Sequence, residues 1–206
     1  MKTMIAVPCM DEVPTQFATS LAMLEKVGEC ALATQMGSLI YTSRNDLARK
    51  AIEMNVDYVM WFDSDMVFAP DTMKRLMEHK DRYDMISGLY FRRVQPFSPV
   101  LFETLEYTAE GPFFTEYKEI PAEPFEVAGV GFGCVLMSAD LIFDVLAKYP
   151  NPFEPMQGFG EDLAFCWRAR QLGHKILCDP SVALGHVGKH VITREFYEAF
   201  KGGNQT

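Results

Sequence analysis

Short apolar runs alternate with helical patterns through the first 91 residues of the chain. The runs "MIAVPCM" (4–10), "DYVMWF" (57–62) and "DMISGLY" (84–90) have the length and composition of buried strands. Between them, "VPTQFATSLAMLEKVG" (13–28) and "SRNDLARKAIEMN" (43–55) carry apolar residues at helical spacing. This alternation with short connections predicts an α/β fold with a mainly parallel central sheet flanked by helices.

The segment between the first two helices decides whether Arg44 and Asn45 lie in the first turn of the second helix. "CALATQ" (30–35) and "SLIYT" (38–42) predict a second strand and its extension, which makes Ser43 the N-cap of the next helix. Arg44 and Asn45 then lie in its first turn, where unpaired N–H groups and the helix dipole favour an anion such as a diphosphate. The alternative is that Arg44 reaches a neighbouring carboxylate.

The regular alternation stops in the second half of the chain. Residues 92–125 hold five prolines and many aromatic residues around "EGP", which predicts a hairpin or loop excursion. Further on, the pattern predicts a glycine-broken strand (125–138), two helices (139–149 and 160–173), two short strands (174–186) and a C-terminal tail (191–206) that frays into polar "KGGNQT" (201–206). The chain is expected to form one domain over residues 1–206.

Composition restricts the partners. The net charge of −9 argues against nucleic acid or an anionic membrane surface as a partner, so a bound phosphate needs a metal or a few placed cations. No apolar run approaches the ~20 residues of a membrane span. The five cysteines lack C-x-x-C spacing and are interpreted as reduced core residues. The N-terminus meets proline and acids too early for a secretory signal, and a soluble, cytoplasmic protein is expected.

Two aspartates, Asp63 and Asp65, directly follow the apolar run that ends at Phe62. In open α/β sheets, ligands bind beyond the carboxyl ends of the strands. Neighbouring carboxylates repel each other unless water or a cation separates them, and their oxygens suit Mg²⁺ or Mn²⁺. An Asx turn that leads into the next helix is the structural alternative.

Two later segments carry further candidates. "FGEDLAF" places Glu161 and Asp162 at a helix start, where acids stabilise the dipole or where one of them serves as a general base. "ALGHVGKH" holds His186, whose imidazole would favour Mn²⁺, and Lys189, which could meet a phosphate. "GVGFG" (129–133) opens no helix and therefore predicts no dinucleotide site.

Six segments in this order resemble glycosyltransferases of the GT-A fold, in particular family 2-like enzymes. The resemblance spans roughly residues 3–190 and rests on "IAVPCMDE", "SRNDLARKAI", "VMWFDSDMVFAPDTM", "VAGVGFGCVLMS", "FGEDLAFCWRARQLG" and "VALGHVG". It implies a single GT-A, Rossmann-like domain with a nucleotide-binding half at about 1–91 and an acceptor half at about 92–190.

The resemblance also implies an activity. It is the Mn²⁺- or Mg²⁺-dependent transfer of a sugar, of the hexosyltransferase type, from a nucleoside-diphosphate sugar to an acceptor hydroxyl, with UDP favoured over GDP. The metal ligands would be Asp63, Asp65 and His186, with Asp63 also near the ribose. Asp162 would be the general base, with Glu161 positioning the acceptor or the base. The nucleotide side would include Pro8, Glu12, Arg44, Asn45, Asp63 and Lys189.

Some features depart from the family pattern. Cys9 and Met10 replace the usual aromatic residue after the first-strand proline, and no Q-x-x-R-W motif of processive synthases is present. A sugar-phosphate nucleotidyltransferase is one alternative, although "PCMDEVPT" lacks its glycine-rich basic loop. A GT-A domain that binds a nucleotide sugar without catalysis is the other.

Overall fold

The computed structural model describes residues 1–37, 39–188 and 191–203. The helices are α1 (Thr15–Met23), α2 (Ile40–Glu53), α3 (Thr72–Met77), α4 (Ala139–Lys148), α5 (Glu161–Gln171) and α6 (Arg194–Gly203). The strands are β1 (Lys2–Cys9), β2 (Glu29–Met36), β3 (Tyr58–Phe62), β4 (Met66–Val67), β5 (Met85–Leu89), β6 (Leu101–Thr108), β7 (Gly111–Glu116), β8 (Phe125–Val127), β9 (Gly129–Val130), β10 (Cys134–Ser138), β11 (Ile176–Ala183), β12 (Gly185–Val187) and β13 (Val191–Ile192). None of the helices in the described ranges combines the length and the apolarity needed to cross a membrane.

A seven-stranded sheet in the order β2-β1-β3-β10-β5-β11-β8 forms the centre of the molecule. Strands β1, β2 and β3 are parallel, β5 is parallel to β11, and β10 runs antiparallel between β3 and β5. The expected α/β class, with a mixed and mainly parallel sheet, is therefore confirmed. Because β3, β5 and β11 point the same way, the residues that follow them meet at one edge of the sheet.

Both faces of this sheet are covered, as the continuous apolar runs predict. Alternate residues of β3 point to opposite sides: Val59 and Trp61 pack under α2, α4 and α5, whereas Met60 and Phe62 pack under α1 and α3. Trp61 and Phe62 are both fully buried. The strand that precedes the two aspartates is thus held rigidly in the core, which fixes where its end lies.

The excursion at 92–125 contains a hairpin. Strands β6 and β7 pair antiparallel around Gly111, whose positive φ of 119° suits the turn, and β9 pairs with the other edge of β6. A second small sheet, in the order β13-β12-β4, joins the chain after β3 to the chain after β11. This small sheet brings the segment of His186 next to the segment of Asp65.

The predicted start of α2 is wrong. "SLIYT" does not extend β2, because the helix begins at Ile40 with Leu39 as N-cap, and no side chain caps it. Ser43 lies inside the helix, where its N–H donates to the carbonyl of Leu39 at 3.2 Å. Arg44 and Asn45 consequently lie beyond the first turn, so the argument from the helix dipole does not apply to them.

No element is predicted for residues 191–200, but the structure has a strand and a helix there. The helix extends through residues 201–203, which were expected to fray, and residues 204–206 lie outside the described residues. Residues 191–192 pair with β12, and α6 follows. Aromatic contacts fasten this helix: Tyr197 stacks on Phe91 with a ring separation of 4.5 Å, and Phe200 meets Phe97 edge-on at 5.0 Å. The polar composition of the tail does not indicate that its aromatic side chains anchor a helix.

All five cysteines are free. Cys134, Cys166 and Cys178 are buried in the core, while Cys9 and Cys30 are partly exposed. Burial raises the pKa of the Cys166 thiol to about 12, so this thiol is inert at neutral pH.

Candidate active site

A pocket of about 380 Å³ opens where the chain leaves β3 and β5. Its lining consists of Asp63, Tyr90, Arg92, Arg93, Val94, Val100, Phe102, Asp162, Leu163 and His186. A larger cavity of about 840 Å³ includes Met1, Asp57 and Asp140 but none of the predicted site residues. The smaller pocket is the candidate site because it combines predicted residues from three separate segments.

Asp63 is held by two contacts at the end of β3. Its backbone N–H donates to the carbonyl of Gly133 at 3.2 Å, and its Oδ1 accepts from Arg44 Nη2 at 2.7 Å. One oxygen of this carboxylate is therefore engaged by a guanidinium. The contact fixes the side chain at the pocket wall.

Arg44 lies in the interior and is only 2% exposed. Its guanidinium packs over the Phe132 ring at 5.0 Å, and its Nε lies 3.8 Å from Glu161 Oε1. Within the described residues, Nε and Nη1 have no hydrogen-bond partner. Arg44 thus links the carboxylate after β3 to the acidic start of α5, and its observed partner is a carboxylate.

Asp65 and His186 are brought together by the small sheet. Met66 pairs with His186 across β4 and β12, and the N–H of Val187 donates to the carbonyl of Asp65 at 2.8 Å. The side chains meet at 3.3 Å between Asp65 Oδ2 and His186 Nε2. The same Oδ2 accepts from Arg93 Nη1 at 2.5 Å.

The orientation of the His186 ring follows from its other nitrogen. Nδ1 lies 2.9 Å from the carbonyl of Phe91, which can only accept, so Nδ1 carries a proton. Nε2 therefore faces Asp65. Burial would lower the pKa of His186, but the hydrogen bond and charge of Asp65 outweigh it and raise this pKa. Burial would raise the pKa of Asp65, yet His186 and Arg93 keep it below its usual value.

The fit to a divalent metal rests on this pair. Among the described residues, no three His, Cys, Asp or Glu side chains cluster closely enough to form a complete metal site. Asp65 and His186 nevertheless present one carboxylate oxygen and one imidazole nitrogen to the same point, and Mg²⁺ or Mn²⁺ commonly takes few protein ligands beside substrate phosphates. The pair fits such an ion, whereas Asp63 uses its Oδ1 on Arg44 instead.

Asp162 lies at the start of α5, facing the pocket. Its Oδ1 accepts from the N–H of Leu163 at 2.7 Å. Burial first, and then the charge of Glu161, raise the pKa of Asp162 to about 6. A carboxyl with a pKa in this range suits a general base near neutral pH.

Tyr90 lines the pocket beside His186. Its hydroxyl accepts from the N–H of Gly133 at 3.2 Å, and its ring meets the His186 imidazole edge-on at 5.7 Å. Burial, and then the charges of Asp63 and Asp162, hold the pKa of Tyr90 well above its usual value. A Cβ at Gly131 would lie 1.9 Å from the Tyr90 hydroxyl, which explains the glycines of "GVGFG" without any nucleotide.

The remaining predicted nucleotide residues are dispersed. Pro8 is buried near the end of β1, where it pairs with Gln35 of β2, and Glu12 is exposed in the loop that follows. Asn45 is buried, and its Oδ1 accepts from the N–H of Phe153 at 2.9 Å. Lys189 lies outside the described residues. The roles of these four residues in nucleotide binding stay predictions.

Sequence reasoning missed Tyr90, Arg92 and Arg93. They follow β5, which is parallel to β3, so they reach the same edge as the two aspartates. The available signal was the position of "YFRR" directly after an apolar run. The pattern instead places Tyr90 in the predicted strand (84–90) and the two arginines at the start of the hairpin excursion (92–125).

Comparisons with known proteins extend the fold assignment. No protein-family model matches the chain, and no curated protein matches it in sequence. Among solved structures, A197 from STIV matches with a TM-score of 0.70 and 18% identity over 95% of this chain and 91% of its own. GalNAc-T7 with UDP, GalNAc and Mn²⁺ matches with a TM-score of 0.62 and 11% identity over 91% of this chain.

The chain spans 43% of the GalNAc-T7 chain that it matches. At these identities, the likeness establishes the fold alone. With the sheet order described above, it confirms the α/β fold of the GT-A type.

Proposed function

We propose that this protein is a metal-dependent glycosyltransferase that moves a sugar from a nucleoside-diphosphate sugar, with UDP favoured, to an acceptor hydroxyl. The observation that carries the proposal is the contact between Asp65 Oδ2 and His186 Nε2, beside a pocket shared with Asp162. The fold likeness to GalNAc-T7, determined with UDP and Mn²⁺, supports the choice of donor and metal.

Asp65 and His186 would hold Mn²⁺ or Mg²⁺. When bound there, the metal would neutralise charge on the diphosphate leaving group. Arg44 pairs with Asp63 at 2.7 Å and fixes it at the pocket wall, where the resemblance places it near the ribose. The backbone carbonyl of Phe91 keeps the His186 ring in the tautomer that presents Nε2.

Asp162 would take the proton of the acceptor hydroxyl. Because Oδ1 already accepts from the Leu163 N–H, Oδ2 is the oxygen that receives this proton. The raised pKa of Asp162, about 6, makes the carboxylate a stronger proton acceptor than an ordinary aspartate. Glu161, paired at 3.8 Å with Arg44, would stay beside the base as a positioning residue.

Calorimetry tests the donor and metal assignment. Titration of UDP into the protein with Mn²⁺ should show binding that a chelator abolishes. Asp65→Ala should lose this binding, because it removes one of the two protein ligands. Asp81→Ala is the matched control, since Asp81 is an 82% exposed aspartate whose single ion pair within the described residues is with the adjacent Lys80.

Three outcomes would contradict the proposal. One is UDP binding that survives chelation or the Asp65→Ala change. Another is the formation of a nucleotide sugar from a nucleoside triphosphate and a sugar phosphate, which would identify a nucleotidyltransferase. The third is binding without any sugar transfer or donor hydrolysis, which would identify a non-catalytic binding domain.

A further inference from the structure

Arg93 contacts the same carboxylate oxygen of Asp65 that faces His186. Its Nη1 lies 2.5 Å from Asp65 Oδ2, the same oxygen that faces His186 Nε2 at 3.3 Å. A cation held between Oδ2 and Nε2 would lie within a few ångströms of the guanidinium. Like charges at that distance repel, so Arg93 and the metal compete for this oxygen.

A divalent cation can displace the Arg93 side chain from Asp65. Arg93 is 53% exposed, and solvent-exposed ion pairs contribute little to stability because water screens them. The residue also lies in the connection between β5 and β6, outside any helix or strand. Moving this side chain off Asp65 therefore requires no change in the core.

Among the described arginines in or beside the pocket, Arg93 is the one whose partner is the proposed metal ligand Asp65. Arg44 is buried against Asp63, and Arg92 pairs with Glu116 at 2.5 Å. Once released, Arg93 remains in the lining of a pocket that also holds Asp63 and Asp162. A planar guanidinium binds phosphate oxygens in a bidentate manner, which a diphosphate would offer there.

We propose that Arg93 is a displaceable cation. It neutralises Asp65 in the metal-free protein, and it moves to the diphosphate oxygens when the metal and the nucleoside diphosphate bind. This inference rests on the proposed function and adds a residue that sets both the metal affinity and the order of binding. It predicts that removing Arg93 changes metal affinity and nucleotide affinity in opposite directions.

The test uses three variants of the full chain. The affinity for Mn²⁺ alone is measured by electron paramagnetic resonance of the free ion, and the affinity for UDP at saturating Mn²⁺ by calorimetry. Arg93→Gln should bind Mn²⁺ up to about fivefold more tightly and UDP on the order of tenfold more weakly. Arg93→Lys should keep an affinity for Mn²⁺ close to that of the wild type, because it retains the charge. Arg92→Gln removes the same charge one residue away and should leave the Mn²⁺ affinity unchanged.

Several results would overturn the inference. They are an Arg93→Gln variant that binds Mn²⁺ no more tightly than wild type, one that binds UDP equally well, or an Arg92→Gln variant that tightens Mn²⁺ to the same degree. If the wild type shows no Mn²⁺-dependent UDP binding, the proposed function fails and this inference fails with it. If the wild type binds both ligands and the opposite changes are absent, only the role of Arg93 is refuted.

Discussion

Two carboxylates, Asp65 beside the pocket and Asp162 in its lining, lie in opposite electrostatic settings. Asp65 contacts a guanidinium and an imidazole, and its pKa lies below the usual value. Asp162 lies beside a second acid, and burial and that neighbour raise its pKa to about 6. Carboxyl groups whose surroundings move their pKa values apart are suited to different roles. The first stays ionised as a ligand, and the second can exchange a proton near neutral pH.

Tyr90 lines the pocket and contacts His186. Its buried ring lies against His186, and it stays neutral because its pKa lies well above the usual value. The buried, neutral ring of Tyr90 therefore forms a wall of the pocket beside the charged groups. Each prediction below changes Asp162, its acidic neighbour or this wall.

The largest effect is expected at Asp162. Asp162→Asn should lower the rate of sugar transfer by about 10³-fold, since positioned general bases contribute between 10² and 10⁴. The UDP affinity at saturating Mn²⁺ should stay close to wild type, because Asp65 and His186 are unchanged. The measurements are UDP release from a UDP-sugar with water or an added acceptor, and calorimetry. Full turnover in this variant would remove Asp162 from the role of base.

The packing around the Tyr90 ring should be sensitive to one added methyl group. Gly131→Ala would place a Cβ 1.9 Å from the Tyr90 hydroxyl, so the ring must move. Overpacking of this kind costs about 1–3 kcal/mol in the free energy of unfolding, measurable by urea denaturation. Adding Tyr90→Phe removes the clashing oxygen and should recover part of the loss. An unchanged free energy of unfolding in Gly131→Ala would show that the Tyr90 ring can move without cost, which contradicts a rigid wall.

The smallest expected effect is on the pH dependence. The transfer rate should rise with pH through about 6 and then level, because the base acts only when Asp162 has lost its proton. The charge of Glu161 contributes to raising that pKa, so Glu161→Gln should move the midpoint to lower pH. Rate profiles at saturating metal measure this shift. A midpoint that moves to higher pH would mean that the two acids do not interact as described.

The sequence predicts most of the parallel part of the fold because the apolar runs at 4–10, 57–62 and 84–90 become the buried strands β1, β3 and β5. Asp63 and Asp65 were found for the same reason, since they terminate such a run. Strand order was beyond this reasoning, because the insertion of β10 between β3 and β5 depends on packing between distant segments. The start of α2 was missed because Leu39 supplies no side-chain cap and Ser43 offers a false one.

Arg93 could not be paired with Asp65 from the sequence. The two residues are 28 positions apart, and Arg93 lies in a segment without helical or strand periodicity. His186, 121 positions from Asp65, was found through the resemblance of the whole motif order. Contacts between loop residues of separate elements depend on the folded sheet, so pattern alone does not locate them.

A structure with Mn²⁺ and UDP, with anomalous diffraction measured at the manganese edge, tests the central claim most directly. The account predicts one anomalous peak within coordination distance of Asp65 Oδ2 and His186 Nε2, with Arg93 no longer on Asp65. A manganese peak elsewhere, or none at this pair while UDP is bound, would contradict the account.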